Sequence, residues 1–167
     1  MSRQENKTIA RRFIQVWGKA NLDIIDELAA PSLSVQYPVM PQVIRGSKTF
    51  RKVMENFRSA FPDSDLHIEE EIAEDDKVVI RWSFSGTHQG SLLGIPATGK
   101  KVKWTGITIY QIVDGKVTEE KGEEDFLGFL RQIGVIPEKG TDLLCGRARS
   151  CNSAGVNPAP EGWPSTG

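Results

Sequence analysis

Two side chains able to exchange a proton, His88 and Asp125, stand among residues that otherwise spell apolar strands. They lie in the stretch GTHQGSLLGIPATGKKVKWTGITIYQIVDGKVTEEKGEEDFLGFLRQIG, from Gly86 to Gly134. An imidazole and a carboxylate set among Trp82, Phe84, Trp104, Ile107 and Phe126 could form a proton-transfer pair in a dry pocket. Asp125 sits at the junction of a strand and a helix, just before Phe126 and Leu127. Apolar walls disfavour a charged carboxyl, so such a site raises its pKa toward the range useful near neutrality. The same position also suits a plain helix N-cap, a role that Asp fills well. His88 has two readings as well, a partner to that acid or a surface His at a strand end. His67, on the acidic side of its strand, is assigned to solvent.

Other polar and aromatic groups could shape such a pocket. Gln36 and Tyr37 share a short strand and can either offer polar tips or simply pack. Trp17 and Trp104 serve as core or as a ligand platform. No G-x-S-x-G, P-loop or dinucleotide fingerprint is present, and the two His have no Cys or second His near them. No metal centre is expected.

The elements that must hold these groups follow from periodicity. Ile9, Phe13, Val16 and Trp17 recur at helical spacing within 4–20, and Leu22, Ile25 and Leu28 mark a second helix that Pro31 is expected to close. Ser34 to Tyr37 reads as a short strand and Pro41 as part of an irregular loop. A third helix, from about Ser47 to Ala60, carries Phe50, Val53, Met54 and Phe57 on one stripe before Pro62 breaks it. The period then changes to two. Strands are predicted from Leu66 to Ile72, from Val78 to Phe84, over Lys101–Val113 and from Lys116 to about Glu124, with an Asp114-Gly115 hairpin. Counting by two places Gly86 and His88 on the side of Trp82 and Phe84. A short helix, Phe126 to Ile133, ends at Gly134. Helices followed by a meander of long strands predict an α+β unit, with a curved antiparallel sheet wrapped around the helices and a conical pocket.

This unit is predicted to span residues 1–139. Residues 140–167 lack periodicity and are rich in Gly, Ser, Asn and Pro. They read either as a flexible tail or as a strap anchored by Leu143, Leu144 and Trp163. Both cysteines, Cys145 and Cys151, fall there and are expected to be free thiols in a reducing compartment. The chain has 167 residues, 38% apolar and 26% charged, with a formal net charge of -1. Nothing in that balance suggests nucleic-acid binding, no apolar run could span a bilayer, and the polar start of the chain points to the cytoplasm.

The runs GTHQG, LLGIPATGK, DGKVTEE and DFLGFLRQIGV, with FRSAFPD upstream, resemble the SnoaL-like polyketide cyclase (ester cyclase) family over roughly residues 5–136. The resemblance implies the cone-shaped nuclear-transport-factor-like fold, usually as a homodimer or larger. It also implies ring closure of a hydrophobic polyketide by intramolecular aldol chemistry, with neither metal nor cofactor. The family's acid/base Asp matches Asp125, its hairpin His matches His88, and a polar residue of its first strand falls at or beside Gln36. Trp17, Gln36, Tyr37, Phe57, Trp104 and Lys121 become the candidate substrate-binding residues. Lys121 is a departure, because many relatives carry Trp four residues before the Asp. Strand alternation puts Lys121 on the face of Glu119, Glu123 and Asp125 unless a bulge intervenes. It then pairs with a neighbouring Glu, stabilises charge, or acts as an amine nucleophile. The other readings of the fold are a non-catalytic small-molecule binder and a different acid/base enzyme, such as an isomerase, dehydratase or epoxide hydrolase.

Overall fold

The computed structural model describes residues 2–19 and 21–137. The tail from 140 to 167, with Cys145 and Cys151, lies outside the described residues. Helix α1 (Arg3–Ile14) begins at Ser2, whose hydroxyl accepts from the Glu5 backbone N–H while the Glu5 carboxylate accepts from Ser2 in return. This reciprocal cap satisfies two N–H groups that a helix start would otherwise leave unpaired. A 3-10 turn over Gln15–Trp17 follows, so Trp17 leaves the helix before the predicted end.

The second helix, α2 (Asp23–Leu28), is shorter than expected and runs straight into strand β1 (Ala29–Gln36). Pro31 therefore lies inside a strand instead of closing a helix. It is accommodated where the pairing is broken, because β1 registers with its neighbour at Ala29 and again only from Ser34. A two-residue strand, β2 (Ile44–Arg45), occupies part of the stretch read as loop. Helix α3 (Ser47–Ala60) buries Phe50, Met54 and Phe57, the expected stripe.

Four long strands complete the sheet: β3 (Asp65–Glu74), β4 (Lys77–Thr87), β5 (Lys101–Val113) and β6 (Lys116–Glu124). Helix α4 (Phe126–Ile133) closes the unit, with Gly134 in the left-handed conformation after it. The strand order is β2-β1-β6-β5-β4-β3, a curved and unclosed sheet in which β1 and β6 run parallel and the other neighbours antiparallel. Phe13, Ile14, Phe50 and Met54 of the helices meet Ile80, Phe84, Tyr110 and Ile112 of the sheet in one core.

One irregularity decides which side of β6 faces that core. Ile112 pairs with Val117, but the next partner of β5, Gln111, pairs with Glu119, leaving Thr118 as an extra residue. The Thr118 hydroxyl donates to the Gln111 carbonyl at 3.2 Å across the break. A one-residue bulge exchanges the faces of every residue beyond it. Val117 is buried, and after the bulge it is Glu120 and Gly122, not Glu119 and Lys121, that turn inward.

Gly122 is required there, because a Cβ at this position would run into the ring of Tyr37. Gly122→Ala should therefore lower stability by about 1–3 kcal/mol through overpacking. Lys121→Ala, on the outer face, should stay within about 0.5 kcal/mol. Urea denaturation of the two variants checks the facing directly, and equal losses would contradict it.

Candidate active site

Aromatic rings from five parts of the chain enclose a cavity inside the cone. Trp17, Tyr37, Phe57, Trp82, Phe84 and Trp104 form its walls. The rings interlock edge to face: Trp17 stands 5.1 Å from Phe57 and 5.5 Å from Tyr37, and Phe57 stands 5.5 Å from Phe84. Val39, Met40, Leu92 and Leu93, all only partly buried or exposed, come from two loops and form the mouth. The water-accessible volume is about 100 Å³, below the ~150 Å³ that holds a benzene ring.

Glu124 is the one ionisable residue besides Tyr37 on the cavity wall among the described residues. Its Oε2 accepts from Trp104 Nε1 at 3.0 Å, and its Oε1 has no partner among the described residues. Burial raises its pKa, with the Trp104 N–H partly opposing that rise and the Glu123 charge adding to it. This is a carboxyl against apolar walls, the environment that the sequence suggested for its neighbour.

A second carboxyl, Glu120, lies deeper on the same face and is fully buried. Its Oε1 accepts from Tyr37 Oη at 2.7 Å and from Trp17 Nε1 at 2.8 Å, while its Oε2 is buried with no partner. Burial is the main cause that lifts its pKa to about 7, opposed by the two donors. Burial and the Glu120 charge push the Tyr37 phenol well above its ordinary range, so that phenol keeps its proton. Four residues along a strand is about 13 Å, too far for Glu120 and Glu124 to share a proton.

The predicted site residues divide sharply. Trp17, Tyr37, Phe57 and Trp104 reach the cavity together. Asp125 does not: it is exposed and caps α4, its Oδ1 accepting from the Gly128 N–H at 2.8 Å. The expectation that apolar walls surround the Asp125 carboxyl is corrected, because the bulge at Thr118 leaves odd-numbered residues outside. Lys121 is exposed for the same reason and pairs with Glu119 at 2.9 Å, and Gln36, registered beside it on β1, is exposed too.

His88 is buried, as alternation suggested, yet it does not line the cavity. Its ring packs on Phe61 and Phe129, and Nδ1 lies 3.1 Å from Thr98 Oγ1. Its backbone clasps the loop base, donating to the Lys100 carbonyl and accepting from Thr98 and Gly99. Burial lowers its pKa. His88 and Asp125 share no hydrogen bond, so the structure does not join them as a pair. Sequence reasoning missed Glu120 and Glu124. The signal for them was Gly122, an otherwise unexplained strand glycine whose parity matches both.

The raised pKa of Glu120 has a thermodynamic consequence. A folded pKa of about 7 against 4.5 means that the folded state holds a proton the unfolded state has released between those values. Stability attributable to this group is therefore highest below pH 4.5 and falls as pH rises to about 7, by about 3 kcal/mol in total. Subtracting the pH–stability profile of Glu120→Gln from that of the wild type should leave this decline. A flat difference between pH 4.5 and 8 would show that Glu120 titrates normally.

Comparison with known proteins agrees with this architecture. The profile of the SnoaL-like polyketide cyclases matches residues 7–133. Aklanonic acid methyl ester cyclase DauD of Streptomyces sp. (strain C5) is 29% identical over 133 residues, covering 75% of this chain and 80% of that one. Aklanonic acid methyl ester cyclase DnrD of Streptomyces peucetius is 33% identical over 93 residues, covering 54% of this chain and 63% of its own length. Among solved structures, AclR of Streptomyces galilaeus, a proposed hydroxylase, superposes with a TM-score of 0.73 at 28% identity, covering 86% of this chain and 89% of that one. The fold is the nuclear-transport-factor-like cone, and the chain belongs to the SnoaL-like polyketide cyclase family.

Proposed function

We propose that this protein closes a ring of a hydrophobic polyketide ester by intramolecular aldol addition, with Glu124 as the acid/base group. The observation that carries the assignment is the position of Glu124, a desolvated carboxyl with one oxygen free on the wall of an aromatic cavity. As a carboxylate it takes the proton from the carbon between two carbonyls. The enolate carbon then bonds to a ketone carbon in the same molecule. The alkoxide formed there recovers the proton from the Glu124 acid, so the reaction is an isomerisation that needs no water and no redox partner. The 1,3-dicarbonyl delocalises the enolate by itself, and the rings of the cavity hold the chain folded, so positioning supplies much of the rate.

A second reading keeps Asp125, the residue that matches the family's acid/base Asp, as the proton-transfer group. It requires the N-cap bond to Gly128 to open. The two are separable with aklanonic acid methyl ester, the compound in the names of its relatives DauD and DnrD, as substrate. Glu124→Gln should lower kcat by about 100-fold or more, the range for lost general acid/base catalysis. Asp125→Asn should cost less than about tenfold, since an N-cap role governs local helix stability. The reverse ranking in product formation would move the role to Asp125.

The outer face of the sheet supports a homodimer. Ile107 and Ile109 are 46% and 42% exposed there, apolar area that a second copy would cover. Sedimentation of the wild type against Ile107→Lys/Ile109→Lys tests this: a dimer should become a monomer.

A further inference from the structure

The polar groups lining the cavity are nearly all consumed by one another. Tyr37 has a single O–H and each Trp a single N–H to give. Trp17 and Tyr37 both donate to Glu120 Oε1. Trp82 Nε1 donates to Thr108 Oγ1 at 2.9 Å, and Trp104 donates to Glu124. With its own proton committed to Glu120, Tyr37 can only accept from Thr108, 3.1 Å away, so the Thr108 hydroxyl is spent as well. The chain of bonds runs one way, from Trp82 through Thr108 and Tyr37, and ends on Glu120. The remaining lining side chains are apolar.

We infer that the described residues of the cavity wall offer a ligand no side-chain donor beyond a proton that Glu124 itself can carry, and that the cavity therefore selects carbonyl compounds whose oxygens are already hydrogen-bonded within the ligand. Enolised 1,3-dicarbonyls and ortho- or peri-hydroxy carbonyls are the classes that meet this requirement. A carbonyl stripped of water and given no donor weakens binding by about 10- to 100-fold, whereas an internally bonded one arrives already satisfied. One unsatisfied oxygen is tolerated at Glu124, whose Oε1 has no partner among the described residues and is the one position on the wall that can present a proton to it. Glu120 is thus a positioning residue: it acts on the ligand only by holding the Trp17 and Tyr37 protons away from it. This inference shares with the proposed function only the cavity as the ligand site, and it concerns binding, not turnover.

The test compares 2′-hydroxyacetophenone, internally bonded, with 2′-methoxyacetophenone, in which methylation removes that bond and adds apolar area. Binding is read by tryptophan fluorescence and calorimetry. Wild type should favour the hydroxy compound by about tenfold or more, against the hydrophobic trend. Glu120→Leu, which releases the Trp17 and Tyr37 donors, should narrow the ratio to within about threefold by tightening the methoxy compound. Thr108→Val, which frees the Trp82 N–H, should narrow it in the same direction and serves if Glu120→Leu does not fold. Equal affinities in the wild type, a ratio unchanged in the folded variants, or no saturable binding of either probe overturns the inference. If the preference holds while the polyketide ester is not cyclised, the inference stands and the cyclase reading falls.

Discussion

Between Val117 and Glu119, strand β6 uses one more residue than β5 does, and the chemistry of the cavity depends on that extra residue. A strand has only two faces, so a single insertion exchanges them for everything that follows. Without the bulge, Glu119, Lys121 and Glu123 would point into the cone, putting three charged side chains among Trp17, Tyr37 and Trp82. With it, two carboxyls and a glycine face inward, and the Lys121–Glu119 pair stays in water, where an ion pair contributes little.

The inward carboxyls then answer to different surroundings. Glu120 has two aromatic donors on one oxygen and none on the other, so each of its protonation states is one hydrogen bond short. Burial without full compensation is what brings its pKa near neutrality. Glu124 has one donor and an open side, so a substrate can complete its shell. Both depend on rings fitting over the strands, and two glycines make that fit possible. Gly122 leaves room for the Tyr37 ring, and Gly106, paired with Glu124 across β5 and β6, leaves room for the Trp82 indole. The same bonds that stiffen the aromatic walls also silence them as donors, so rigidity and ligand preference have one cause.

Much of this was legible in the residues. The helical stripe of Phe50, Met54 and Phe57 and the alternation through Val78, Ile80, Trp82 and Phe84 fall where they were read, because burial imposes periods that short segments display by themselves. The aromatic members of the site, Trp17, Tyr37, Phe57 and Trp104, were legible for the same reason: large rings belong inside. Pro31 was misread because its tolerance depends on a break in pairing with a strand that lies more than eighty residues away in the chain.

The sequence by itself determined the family, the order of elements and the shared face of Lys121, Glu119, Glu123 and Asp125. It could not determine which face of β6 is the inner one. Alternation carries parity but no sign, and β6 is too polar for its own side chains to supply one: Lys116, Glu119, Glu120, Lys121, Glu123 and Glu124 leave hardly any apolar set to choose a side. The sign came from pairing with β5: buried Ile112 stands opposite Val117 before the extra residue at Thr118, and buried Tyr110 and Thr108 stand opposite Glu120 and Gly122 after it. Only that pairing turned Glu120 into the core and Glu124 to the cavity wall, and left Asp125 as a helix cap.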